Sequence, residues 1–357
     1  MTGYERTLGF LKRTPIDRIP LYEHFWSDTH REWKRLGAVQ EGQPYEDRFD
    51  FDMVECGALS TVADLDFKNV IVEEDEDTYL ERDGNGALLR HHKHHDTTPE
   101  HVDYMVKERD AWEEHIKPKL KPERRRLAIE KYKKGVDRAR AANRFVFCSG
   151  SQVFEMMHPV CGHEHMLVGM ALDPDWVKDM ANTFAELTIN LQEMLFAEVG
   201  LPDGVWYYED MGFLQRPFMS PTMYREIIMP AHKRVFDFNK SLGLPILVHS
   251  CGFVEPLVPG MLEAGMDALQ VIEVKAGMDL LRLHKQYGDR LSFMGGIDVR
   301  ALYTNDYAVI DQELESKIPI VKEGFGYSLH SDHSIPCTVK PETFEHFIEV
   351  GLKLGTY

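Results

Sequence analysis

The sequence predicts an α/β chain folded as a (β/α)8 TIM barrel with an N-terminal helical and hairpin insertion. Three observations carry this. From residue 145 onward short apolar runs alternate with longer amphipathic segments. Each run ends in polar or glycine residues, as strands do where they open onto a barrel mouth. The length, 357 residues with 43% hydrophobic, suits one barrel with insertions. Alternation at this rhythm means right-handed βαβ units around a parallel sheet.

Taken in order, "RIPLYEHF" near residue 20 reads as the first strand, and a second falls within 50–70. Six more follow: "RFVFCSG" (144–150), "GVWYYED" (204–210), "PILVHSCG" (245–252), "ALQVIE" (268–273), "LSFMGGID" (291–298) and "GYSLHSD" (326–332). Between them "PDWVKDMANTFAELTINLQEMLFAEVG" and "SPTMYREIIMPAHKRVFDFNKSLG" have helical spacing, and each ends at glycine. An open doubly wound sheet is the competing architecture. No glycine-rich phosphate turn follows an early strand, so a Rossmann unit lacks its signature. Residues 66–142 break the rhythm and are expected to cover part of the barrel mouth within one domain spanning 1–357. They read as strands turning at Asp83-Gly84-Asn85-Gly86, then a charged helical stretch from about 99 to 142.

Charge and cysteine content bound the function. A net charge of −18, from 59 acidic and 41 basic residues, repels phosphates and argues against a nucleic-acid or anionic-membrane partner. Five cysteines at irregular spacing do not make a disulfide framework, so a reducing, cytoplasmic compartment is expected. No N-terminal apolar segment reads as a signal peptide, and no run approaches the roughly 18 apolar residues of a membrane span.

The strand ends hold the chemistry. In order they present Glu209 and Asp210, His249 and Cys251, Glu273, Asp298, and Asp332 and His333. Burying so many unpaired ionisable groups would cost several kcal/mol each, so they are expected to converge on one polar cavity. His249 and Cys251 are two apart on an extended segment and point the same way. Imidazole plus thiolate suits Zn²⁺. With Glu273 on the adjacent strand and His333 after the last, the expected metal ligands are His249, Cys251, Glu273 and His333. Cys337 rivals His333. Glu209 or Asp210 is the expected catalytic carboxylate, and Tyr208, Phe253, Asp298 and Asp332 are candidates for binding substrate. "HHKHH" (91–95) and "EEDED" (73–77) read as a solvated strand and turn. "HPVCGHEH" (158–165) reads as lining or loop between helices, and Cys56 and Cys148 as buried apolar residues.

"PIDRIPLY", "EDMGFLQRPFMSPTMYREIIMPAHKRV", "HSCGFVEPLVPGMLEAGMDALQVIEVKAGMDL", "GDRLSFMGGIDVRAL" and "SDHSIP" together resemble the uroporphyrinogen decarboxylase superfamily, most strongly from 204 to 341. The resemblance implies a (β/α)8 barrel. The "RQAGR"-like arginine segment by which true decarboxylases bind porphyrin carboxylates is replaced here by "LYEHFWSDTHREW". The His-x-Cys strand end instead resembles the superfamily's zinc-dependent methyltransferases, the corrinoid-linked enzymes and, more distantly, cobalamin-independent methionine synthase. Their His and Cys ligands fall on His249 and Cys251, and the Glu that the synthase adds falls on Glu273. His333 stands where they have a later cysteine. What this implies is methyl transfer from a small donor, an aryl methyl ether of vanillate, syringate or guaiacol type, to Co(I) of a corrinoid carrier protein. The alternatives are transfer from a methyl-corrinoid protein to a thiol of coenzyme M type, and uroporphyrinogen decarboxylation. A catalytically silent scaffold is disfavoured by the crowd of ionisable strand ends.

Overall fold

The computed structural model describes residues 1–94 and 98–357, so His95 of the histidine-rich tract lies outside the described residues. Seven strands, Met53–Gly57, Phe145–Ser151, Gly204–Tyr208, Ile246–Ser250, Ala268–Val271, Ser292–Gly295 and Tyr327–Ser328, form one curled sheet in that spatial order. Every neighbouring pair is parallel.

Residues 20–25 fill the eighth position, between the first and last of these strands. Leu21 bridges Leu329 in parallel, and Phe25 bridges Ile335. The Leu329 N–H donates to Pro20 O at 2.8 Å, while Asp52 N donates to Leu21 O at 3.0 Å. A buried charge cluster pins this closure. Asp52, 3% exposed, accepts from the Arg6 and Arg18 guanidiniums at 2.5 and 2.7 Å. It also accepts from Leu21 N at 2.7 Å. Two arginines and a backbone donor compensate what would otherwise be a costly buried anion.

Alternation along Gly204–Tyr208 sorts its aromatics. Tyr207 points to the helix layer, where its hydroxyl bonds Gln192 and Asn239 and its ring stacks on Phe236. Trp206 points into the barrel and packs against Tyr22 and Phe147, with ring centroids 5.3 and 5.5 Å away. This buried aromatic plug fills the interior below the mouth, as barrel cores require.

The helices start and stop where the sequence signals. Pro174–Val199 is capped by the Asp173 side chain accepting from Trp176 N, and it ends at Gly200 with φ 96°. Ser220 caps the helical run 221–241, which includes one wide turn at Tyr224–Ile228. Among the described residues no helix is long and apolar enough to cross a membrane.

The segment after the first ladder strand departs from the expected pattern. Val70–Glu74, Thr78–Arg82, Ala87–His92 and Glu100–Tyr104 form a four-stranded antiparallel sheet, with the tight turn at 83–86 as expected. Residues 100–104 are therefore its last strand and not the start of a helix. Pairing with Ala87–His92 supplies their backbone partners, and a charged stretch reads alike as a solvated helix or a solvated edge strand. Short helical turns follow, and the regular helix is Ile129–Ala141.

"HPVCGHEH" is also helical, inside Val153–Leu172, with a break at Gly162 (φ 73°). A Cβ at Gly162 would sit 2.4 Å from the Tyr104 ring, so glycine lets the last strand of the small sheet press onto this helix. Cys56 and Cys148 are buried.

Candidate functional site

The strand ends and the loops beyond them enclose a cavity of about 360 Å³. His24, Phe25 and Trp26 come from the closing segment, Tyr208 and Asp210 from the end of Gly204–Tyr208, and His249 and Cys251 from the next strand. Gln270, His330 and His333 complete the far wall, and Thr98 reaches the rim. Among the described residues no lysine or arginine lines it.

His249 and Cys251 face the same way, as their spacing requires, with Nε2 and Sγ 3.2 Å apart. The third member is Asp210, whose Oδ1 lies 3.3 Å from His249 Nε2. One ligand atom from each of the three lies within 4.8 Å of the others, a set able to hold a metal ion. Local backbone builds this. Gly212 and Gly252 lie in contact, and a Cβ on Gly212 would sit 2.4 Å from Cys251 O. The Cys251 N–H donates to Asp210 Oδ1 at 2.7 Å, which ties the two loops together.

The imidazole is oriented from behind. His249 Nδ1 is hydrogen-bonded to Gln270 Oε1. Gln270 Nε2 in turn approaches His330 Nε2 at 3.3 Å, and His330 Nδ1 donates to Ser331 O at 2.5 Å. Each donor meets an acceptor when His249 carries its proton on Nδ1, so Nε2 is the atom presented to Cys251 and Asp210. Outer partners of this kind fix the tautomer of metal-binding histidines.

Electrostatics follow from this crowding. Burial opposes a charged His249 ring, but Cys251 and Asp210 overcome it and raise its pKa well above the ordinary value. Burial also acts on Asp210, yet its contact with His249 holds it below the usual carboxylate range. Burial pushes the Cys251 thiol up.

Several sequence-predicted residues stand elsewhere. Glu273 is outside the three-donor group: its Oε2 accepts from Gly252 N at 2.6 Å and its Oε1 pairs with Lys275 at 3.1 Å. It braces the Cys251 loop from beneath. His333 lines the cavity but stacks on Trp26, with ring centroids 5.7 Å apart, and is not in the group either. Cys337 is exposed and does not line the cavity.

Glu209, an expected catalytic carboxylate, points away from the mouth. Fully buried, it accepts from Phe154 N, Glu155 N and His232 Nε2 at 2.9, 3.0 and 2.5 Å. A carboxylate there satisfies a helix start. Asp298 caps the helix Val299–Tyr303 and pairs with Arg300. Asp332 is buried and accepts from Val274 N and Val299 N, both at 2.8 Å. Burial lifts it to about 6. Phe253 packs against the core, and of the four substrate candidates only Tyr208 lines the cavity.

The sequence reading missed the opposite wall. Tyr208 donates to Glu55 Oε2 at 2.5 Å and lies 3.1 Å from His24 Nε2. Behind His24, fully buried Glu23 accepts from Ser331 N and His24 N and lies 3.3 Å from His330 Nε2. Burial raises Glu23 to about 8 and drives His330 well below the ordinary imidazole value. The available signal was "EH" closing the first strand and a histidine, His330, two residues before Asp332.

Comparison with known proteins agrees with this architecture. A "methyltransferase from Methanosarcina mazei" superposes with a TM-score of 0.65 at 15% identity, over 98% of both chains, a likeness of fold. Two curated relatives are uroporphyrinogen decarboxylases. The one from Streptomyces avermitilis is 26% identical over 191 residues, 54% of this chain and 51% of that protein. The one from an Arthrobacter species is 26% identical over 127 residues, 36% of this chain and 35% of its own. The chain thus spans about half, or less, of the length of the relatives it matches. The family model for uroporphyrinogen decarboxylase (URO-D) covers residues 128–353, well over half of the sequence, and the chain belongs to that family.

Proposed function

We propose that this protein is a zinc-dependent methyltransferase that moves the methyl group of an aryl methyl ether to the Co(I) of a corrinoid carrier protein in the reducing cytoplasm. The observation that carries the proposal is the convergence of His249, Cys251 and Asp210 at the wall of one open cavity. Three protein ligands with one open position are the pattern of catalytic zinc, as opposed to structural zinc. Asp210 takes the place expected of Glu273, and all three donor residues line the cavity.

When bound there, zinc would supply a Lewis acid for the ether oxygen, the atom on which charge develops as the C–O bond breaks. The chain's own residues do the rest. Cys251 and His249 give up their protons on loading, so uptake releases protons. Gln270 holds the imidazole in register, and Trp26, Phe25 and Tyr208 form walls for an aromatic ring. The electron pair of the cobalt nucleophile forms the new bond to carbon, and the old C–O pair stays on the phenolate.

Decarboxylation is the second reading, favoured by the names of the curated relatives. A porphyrinogen carries many carboxylates, and no lysine or arginine among the described residues lines this cavity to receive them. The thiol-acceptor reading has no observation of its own.

Metal analysis of the purified protein is the test. About one zinc per chain is expected, lost in Cys251→Ala. With zinc present, methoxylated aromatics and a Co(I) carrier should produce a change in corrinoid absorbance. A protein without zinc, or one that loads zinc but transfers no methyl group from any ether, overturns the proposal.

A further inference from the structure

Resting on the methyltransferase reading, we propose that the cavity selects by charge: its methyl donor is an uncharged methoxyphenol, and methoxybenzoates are excluded. The inventory of charge around the cavity carries this. Among the described residues its lining contains no lysine or arginine, while Asp210 lines it and Glu55 stands directly behind the Tyr208 hydroxyl. Lys275, which stands beyond His333, is already paired with Glu273 at 3.1 Å.

The histidines are already engaged, His249 with Asp210 and Cys251. His330 is fully buried beside His24, and the His333 ring is stacked on Trp26. His24 already faces the Tyr208 hydroxyl and the Glu55 carboxylate. A bound dication would not change the balance. The Cys251 thiolate and the Asp210 carboxylate together carry two negative charges, which cancel those of Zn²⁺. A carboxylate entering this cavity therefore exchanges water for a site that has Glu55 behind one wall and no free cation. Burying an ion unpaired costs several kcal/mol.

An uncharged ring meets a different wall. Phe25, Trp26 and Tyr208 offer aromatic faces and edges, and about 360 Å³ accommodates one substituted ring.

Calorimetric titration of the zinc-loaded full chain with 2-methoxyphenol and with 4-hydroxy-3-methoxybenzoate tests the proposal. These two probes differ only by the carboxylate. The phenol is expected to bind at least tenfold more tightly. Thr98→Arg, which sets a cation at the exposed rim, is expected to narrow the gap by strengthening benzoate binding. Equal or tighter binding of the benzoate to the native protein, or no measurable binding of the phenol, overturns it. Methyl transfer is scored separately. Loss of transfer from both donors with the binding preference intact sinks the demethylase reading alone.

Discussion

Glu209–His232 and Asp210–His249 are two carboxylate–imidazole pairs hung from consecutive residues at the end of one strand. In the first, both side chains lie in the helix layer with almost no exposure, and the carboxylate also accepts two N–H groups at the start of Val153–Leu172. In the second, Asp210 is 40% exposed, and a thiol joins the pair at the cavity wall. The same chemical couple therefore locks two layers together in one place and leaves ligand atoms facing open space in the other. What separates them is how many donors are already spent. Glu209 has three partners at hydrogen-bond distance, whereas Asp210 keeps one oxygen free of any backbone donor.

The largest effect expected from breaking this comparison is on stability. Glu209→Ala leaves His232 and a helix start unpartnered in the interior. It should cost about 3–5 kcal/mol in urea unfolding, the range for breaking one side of a buried pair. Zinc per folded chain should stay unchanged. Asp210→Asn reverses the pattern. Its stability should lie within about 1 kcal/mol of the native protein, while zinc affinity, measured by competition with a chromophoric chelator, falls about 100-fold, at or beyond the limit for an outer partner.

Glu23 sharpens the comparison as a third case, a fully buried carboxylate with two N–H donors and an imidazole neighbour, directly under the cavity. Its pKa is raised by burial from 4.5 to about 8. The folded state keeps a proton that the unfolded chain has released, so this contribution to stability is complete below the lower value and gone above the higher. Buried neutral His330, with its lowered pKa, acts in the opposite sense as pH falls below about 6.5. Between about 6.5 and about 8, Glu23 should therefore contribute a fall in stability with rising pH of up to about 1.4 kcal/mol per unit, in the same direction as the raised His249. Glu23→Gln should flatten that slope in denaturant titrations run at several pH values. The smallest effect belongs to Gln270→Leu, which releases the far side of His249. Zinc affinity should drop about tenfold, with little change in the unfolding midpoint.

The barrel strands were legible because each carries an apolar run whose end turns polar, a pattern the parallel sheet imposes. His249 and Cys251 were legible through the pleat, which fixes the relative direction of residues two apart. The same rule also separates Glu209 from Asp210. Tyr208 points inward, so Asp210, two further on, does too, and Glu209 does not. Glu273 stands outside the three-donor group because it lies past the end of Ala268–Val271, where the pleat no longer dictates direction and the Gly252 N–H competes for the carboxylate. His232 stood unnoticed in an amphipathic helix, since periodicity says which face is buried and not that the face carries an imidazole. Residues 100–104 hid their pairing because an edge strand facing water has no apolar alternation to betray it.

Closure by residues 20–25 has a consequence for biosynthesis. His24, Phe25 and Trp26 emerge from the ribosome long before their neighbours Leu329, His330 and Ile335. Until then the early segment has nothing to pair with on one side, and its backbone stays available to the wrong strand. Long-range pairings of this kind make folding slow and leave sticky edges exposed. A chain cut short before residue 329 would lack one wall of the cavity and one side of its barrel seam. Translation must therefore pass residue 335 before the cavity can be complete.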